Sequence, residues 1–109
     1  TEHVGSKSLG DGGETELHDE TIYQRDLEWL SSAEAVVAEV TTPSLGVGYE
    51  IGMAEKLAKP VLCLFDESQT VFRLSAMLSG NANLTVCRYQ AVGEAKRQIS
   101  EFLSSLPQT

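Results

Sequence analysis

Two carboxylic acids sit where an amphipathic helix does not ordinarily carry them. Stepping about 100° per residue through LGVGYEIGMAEKLAK puts Val47, Ile51, Ala54, Leu57 and Ala58 on one side of a helix. Glu55, Lys56 and Lys59 fall on the other, and Glu50 projects between Leu57 and Ala54, at the flank of the apolar face. In the helical segment before it, Ile22, Trp29, Leu30 and Ala33 form an apolar arc with Tyr23 at its edge, and Asp26 falls in the middle of that arc. Burying an ionised carboxylate without a partner is costly, so such a residue is usually paired or functional. A lone buried acid more often caps a loop or pairs with arginine than does chemistry. Two of them, on consecutive helices flanking one strand, could reach the same strand-end cleft. Glycosidic chemistry uses such a pair: one carboxylate attacks or stabilises the sugar carbon, and the other manages a proton or the geometry.

The turn TTPSLG, residues 41–46, leads into the second of these helices. Ser44 has two readings. It can cap the helix by accepting from the backbone of Val47, or its hydroxyl can donate to a phosphate beside the free N–H groups of Gly46 and its neighbours. Pro43 fixes the turn, and Gly46 and Gly48 allow close backbone approach. The turn fits neither G-x-x-x-x-G-K-[ST] nor G-x-G-x-x-G, so taken alone it is a weak phosphate signal. His3, near the end of TEHV, could contact a base or be a loop histidine, and His18 reads as a helix-start residue. Ser75 and Met77, in RLSAML, read as ordinary helix residues. No metal-ligand cluster and no Ser/His/Asp pattern stands out.

These residues need a scaffold, and the apolar periodicity supplies one. It predicts helices over 19–33, 45–58, 71–78 and 92–106, and strands over 35–40, 60–65 and 84–88. Residues 5–16 read as a loop entered from a strand ending near TEHV. Helices alternating with short, almost uniformly apolar strands argue for an α/β fold with a mostly parallel sheet covered on both faces. Ligands bind beyond the carboxyl ends of such strands. The 41–46 turn, the loop after Phe65 and the residues after Val4 are expected there.

The chain has 109 residues, enough for one domain, 1–109, with a single core. Its formal net charge is −8, from 8 Lys+Arg against 16 Asp+Glu, with no basic stripe, which argues against a nucleic-acid polymer as partner. No apolar run suggests a membrane span, and no secretory signal is visible. Cys63 and Cys87 lie in apolar runs and read as buried, reduced thiols, which favours an intracellular compartment. The first residue is Thr1 rather than Met, as in a piece of a longer chain.

The segments TEHV, DLEWL, AVVAEVTTPSLGVGYEIG, VLCLF and LSAML together closely resemble the 2′-deoxynucleoside 5′-phosphate N-hydrolases of the nucleoside 2-deoxyribosyltransferase superfamily. The resemblance runs from Thr1 to about residue 80 and is strongest over 26–65. It implies a Rossmann/flavodoxin-like three-layer sandwich and hydrolysis of the N-glycosidic bond of deoxynucleoside monophosphates, without a cofactor or metal, in the cytoplasm or nucleus. It carries a nucleophilic role onto Glu50, an essential acid onto Asp26 and phosphate contacts onto Ser44 and Gly46. It also implies a homodimer in which Ser75 reaches the neighbouring subunit's phosphate. One departure stands out: the family's first βα unit, with its glycine-rich loop, is absent from this sequence. The domain is therefore expected to be incomplete at its amino end, with a gap in the sheet beside residues 35–40. A nucleoside deoxyribosyltransferase and a non-catalytic nucleotide-binding module are the competing readings.

Overall fold

The computed structural model describes the backbone of residues 2–4 and, in full, residues 18–68 and 70–107. The expected 5–16 loop lies outside the described residues. Four strands form one sheet in the order β1 (Glu2–Val4), β2 (Ala35–Glu39), β3 (Val61–Asp66) and β4 (Thr85–Tyr89). β2, β3 and β4 are parallel, with Val37 beside Leu62 and Leu64 beside Cys87. Every residue of β2 but the last is buried, and so are the first five of β3. That is why these strands are apolar up to their last residues, Glu39 and Asp66, rather than alternating.

Strand alternation assigns the layers. Val36, Ala38, Val61 and Cys63 face α1 (Asp19–Ser32) and α2 (Leu45–Lys56), packing against Leu30, Ile51 and Ala54. Ala35, Val37, Leu62 and Leu64 face the other way, against Phe102 of α4 (Val92–Ser104). The α/β architecture expected from the periodicity is present, with helices on both faces. No helix among the described residues is long and apolar enough to cross a membrane.

Two expectations are corrected. The edge beside β2 is not vacant: β1 occupies it, antiparallel, with His3 opposite Val36 and Val4 opposite Ala35. A β2 edge left open would present unpaired N–H and C=O groups, and even three residues of pairing satisfy part of it. Val4 itself stands opposite Ala35, at the amino end of β2, whereas the 41–46 turn follows its carboxyl end. The residues after Val4, expected beside the turn, lie outside the described residues. The second correction concerns 71–78, where the structure has only the four-residue helix α3, Ala76–Ser79. Ser75 lies outside it as the N-cap, accepting from Met77 N–H at 3.2 Å. Val71 and Met77 are 90% and 81% exposed, so no buried face holds a longer helix there.

α2 ends at Lys56, with Ala58 at φ 59°. The Ala58 and Lys59 N–H groups donate to the carbonyls of Glu55 and Ala54, both at 2.9 Å. This is the Schellman pattern, with alanine in the left-handed position that glycine normally takes.

Candidate active site

The carboxyl end of β2 runs directly into the turn and then into α2, so the sheet dictates where the helix begins. Ser44 is the N-cap: its backbone is extended, at φ −147° and ψ 123°, and its Oγ accepts from Val47 N–H at 3.2 Å. The first i→i−4 bond of α2 runs from Gly48 N–H to Ser44 C=O at 3.0 Å. The N–H groups of Leu45 and Gly46 precede that bond and belong to the open helix start. A Cβ at Gly46 would come no nearer than 4.0 Å to any atom, the Ser44 Oγ, and one at Gly48 would meet nothing. The fold itself requires glycine at neither position.

Glu50 is half-buried in the middle of α2. It lies two residues from both Gly48 and Gly52, about 200° around the helix from each. Gly46, one turn earlier, shares its flank. On that side Tyr49 meets Tyr23 of α1 edge to face, with ring centroids 6.3 Å apart. The hydrogen bond with Tyr49 raises the Tyr23 phenol above its ordinary value, with the Tyr49 charge and slight desolvation adding to it. Asp26 follows Tyr23 by three residues and so shares its face of α1. The tyrosine pair thus sets the Asp26 and Glu50 segments side by side. Asp26 is half-buried rather than sealed in an apolar arc, and Arg25 Nε stands 3.8 Å from its Oδ1. The Arg25 guanidinium also lies 4.7 Å over the Trp29 ring. The cation that a half-buried aspartate needs is its own sequence neighbour.

The opposite flank of α2 opens into a groove of about 500 Å³ between α2 and residues 73–84. Ser44 and Ser75 both line it, with Thr42, Gly48, Arg73 and Glu55. Ser44 and Ser75, apart in sequence, are therefore brought together, whereas Glu50, Asp26 and Gly46 are not part of that groove. Its far end is held by Glu55, which accepts from the side-chain amides of Asn81 at 3.0 Å and Asn83 at 2.8 Å. Ser44 caps the helix that carries Glu50 and lines this groove. His3 is placed only by its backbone, across from Val36 at the other end of the strand, and its side chain lies outside the described part.

A model of the nucleoside 2-deoxyribosyltransferase family matches residues 3–101. The chain belongs to this family. It is 47% identical over 108 residues to a 5-hydroxymethyl-dUMP N-hydrolase of Tetraodon nigroviridis, covering 96% of this chain and 75% of that one. It is 52% identical over 84 residues to the Homo sapiens 5-hydroxymethyl-dUMP N-hydrolase, covering 76% of this chain and 48% of the relative. The chain thus spans about half to three quarters of the length of these family members. Among solved structures, a CMP N-glycosidase of Clostridium botulinum superposes with a TM-score of 0.64 at 20% identity, covering 79% of this chain and 71% of the other. At that identity the likeness concerns the fold.

Residue chemistry alone missed one group in this family member. Glu39, Asp66 and Tyr89 are the last residues of β2, β3 and β4, and hydrogen bonds through Thr41 and Glu39 join them. The signal was present in the sequence: a polar residue closes each of the three parallel strands, at the end where α/β sheets bind ligands. Arg73, the cationic residue among those lining the groove, gave no such signal.

Proposed function

We propose that this chain hydrolyses the N-glycosidic bond of 2′-deoxynucleoside 5′-monophosphates, releasing the base and 2-deoxyribose 5-phosphate. The observation that carries this reading is the arrangement along α2. An open helix start capped by Ser44 lies six residues, about 9 Å, before a half-buried carboxylate, Glu50, on the flank that meets Asp26's helix. The two glycines of the first α2 turn, which the fold does not require, leave backbone open to an anion. The N-hydrolase names of relatives at 47% and 52% identity support the same chemistry, and 5-hydroxymethyl-dUMP is accordingly the first substrate to test.

In the mechanism, the Glu50 carboxylate attacks C1′ while the C1′–N bond breaks and its electron pair leaves with the base. The base takes a proton from solvent, which the later attack of water returns, and Asp26 orients the sugar or Glu50 and assists that transfer. Water then attacks C1′ of the glycosyl ester, restoring the Glu50 carboxylate and giving the free sugar hydroxyl. Without a 2′-hydroxyl, the oxocarbenium-like transition state forms more readily. The phosphate, held by Ser44 and the Gly46 N–H, contributes remote binding energy to positioning C1′. Ser75 adds a phosphate contact, donated across a homodimer to the neighbouring subunit. We place the reaction inside the cell, where both thiols stay reduced.

Incubation with 5-hydroxymethyl-dUMP or dGMP, without any acceptor base, is expected to release 2-deoxyribose 5-phosphate. The family also includes deoxyribosyltransferases, and product that forms only when an acceptor base is present would favour that reading. Glu50→Ala is expected to abolish turnover while largely keeping nucleotide binding. Unchanged turnover in that variant would refute the mechanism.

A further inference from the structure

Among the described residues, a connected set of short hydrogen bonds lies at the carboxyl ends of the three parallel strands. Glu39 Oε1 accepts from Thr41 N–H at 2.8 Å. Its Oε2 accepts from the Thr41 hydroxyl at 2.8 Å and from the Tyr89 hydroxyl at 2.6 Å. The Thr41 Oγ1 in turn accepts from Asp66 N–H at 2.8 Å. Asp66 Oδ1 accepts from the N–H of Ser68 at 2.9 Å and from its hydroxyl at 2.6 Å. Two ladder-like bonds run beside these, from Val40 N–H to Leu64 C=O and from Glu67 N–H to Tyr89 C=O.

Thr41 is the hub. Its hydroxyl has one proton to give and gives it to Glu39; it accepts from a donor on a different strand. Both directions are used, so the side chain is fixed from β2 and β3 at once. Bonds to a carboxylate are also the stronger kind. The chain beyond Thr41 is stiff. Pro43 locks its own φ, and Thr42, preceding a proline, is held to extended backbone. Few soft dihedrals separate Thr41 from Ser44, so an orientation set at Thr41 is transmitted to the helix tip.

We propose that Thr41 is a positioning residue: anchored by Glu39 and the Asp66 N–H, it sets the course of the 42–44 turn and so aims Ser44 and the first N–H groups of α2 at the substrate's phosphate. Tyr89 holds Glu39 in place, which makes it the outer support of the same device. This inference rests on the phosphate reading of Ser44. A role confined to tying strand ends together would lower stability and weaken all ligands alike. Aiming at phosphate affects only ligands that carry one.

The test compares calorimetric binding of dUMP and of deoxyuridine to the protein with wild-type Thr41 and Tyr89 and to Thr41→Val, Thr41→Ser and Tyr89→Phe, each also carrying Glu50→Ala so that dUMP is not turned over, with thermal melts alongside. Thr41→Val keeps the shape and removes both hydroxyl bonds. It is expected to weaken dUMP binding about tenfold, the scale of a lost charge-assisted bond, and to leave deoxyuridine binding where it was. Thr41→Ser, which keeps the hydroxyl, restores dUMP binding, and Tyr89→Phe falls between. An equal loss for both ligands, or a Thr41→Ser variant as poor as Thr41→Val, overturns the proposal. Should Thr41→Val fail to fold, Tyr89→Phe decides, because a loss confined to dUMP supports the proposal and any other result overturns it. A wild type that prefers dUMP but is indifferent to these changes overturns this inference alone. A wild type that binds dUMP no better than deoxyuridine overturns the phosphate reading and this inference with it.

Discussion

Ser44→Asp separates the two things that Ser44 does. The serine Oγ accepts from Val47 N–H at 3.2 Å, satisfying a helix-start donor. Replacing it by alanine loses that acceptor, at a cost of about 1 kcal/mol. A loss of that size lowers the melting temperature of a domain this long by about 4–8 °C. Aspartate is as good an N-cap as serine, and its charge suits the positive end of the helix. Ser44→Asp should therefore melt close to the wild type. Its effect on a bound phosphate is the reverse. Two like charges about 4 Å apart repel by about 4 kcal/mol at an effective dielectric of 20. Ser44 is exposed, and screening there leaves about 1.4–2.8 kcal/mol, a tenfold to hundredfold loss of monophosphate affinity. Thermal melts of wild type, Ser44→Ala and Ser44→Asp, and calorimetry with dUMP and deoxyuridine on the same three in a Glu50→Ala background that does not turn dUMP over, read both effects. Ser44→Asp binding dUMP as tightly as the wild type would refute the phosphate anchor. Ser44→Ala melting with the wild type would refute the cap.

Ala58 sits at φ 59°, and because glycine takes that conformation without a Cβ clash, Ala58→Gly is expected to stabilise the fold by about 0.5–1 kcal/mol; a lower urea midpoint would contradict it. The Tyr89 phenol is pushed up to about 12 from an ordinary 10.0, chiefly by its bond to Glu39. Its folded value exceeds its unfolded one, so the stability it contributes is complete below pH 10 and disappears as pH climbs through about 12. Alkaline melts should show this fall in the wild type and a smaller one in Tyr89→Phe. Burial pushes the Cys63 thiol up to about 11, so at pH 8 it should resist a thiol reagent in the folded protein and react on denaturation; rapid labelling of Cys63 in native buffer would refute its burial.

Much of this molecule was legible in the sequence because its signals are local. Almost uniformly apolar, 35–40 and 60–65 read as strands buried on both faces, and the structure buries Ala35–Ala38 and Val61–Phe65. Ser44 announced a cap by its place before a helical period, and it is one. Helical phase put Glu50 on the flank of α2, where it is half-buried. The short helix at 71–78 was overextended because periodicity does not report whether a face has anything to pack against, and Val71 and Met77 have little.

The sequence by itself determined the strands, the helices, the cap and the flank of α2 that carries Glu50, because each is set by residue type and spacing within one element. Only the tertiary structure decided three further things. It paired β1 antiparallel to β2, with Val4 opposite Ala35. It brought Ser44 and Ser75 to one groove on the side of α2 away from Glu50. And it gathered Glu39, Asp66 and Tyr89 around Thr41. Each of these depends on which strands become neighbours and in what register, and pairing between residues as distant as Glu39 and Tyr89 leaves no period in the chain to be read.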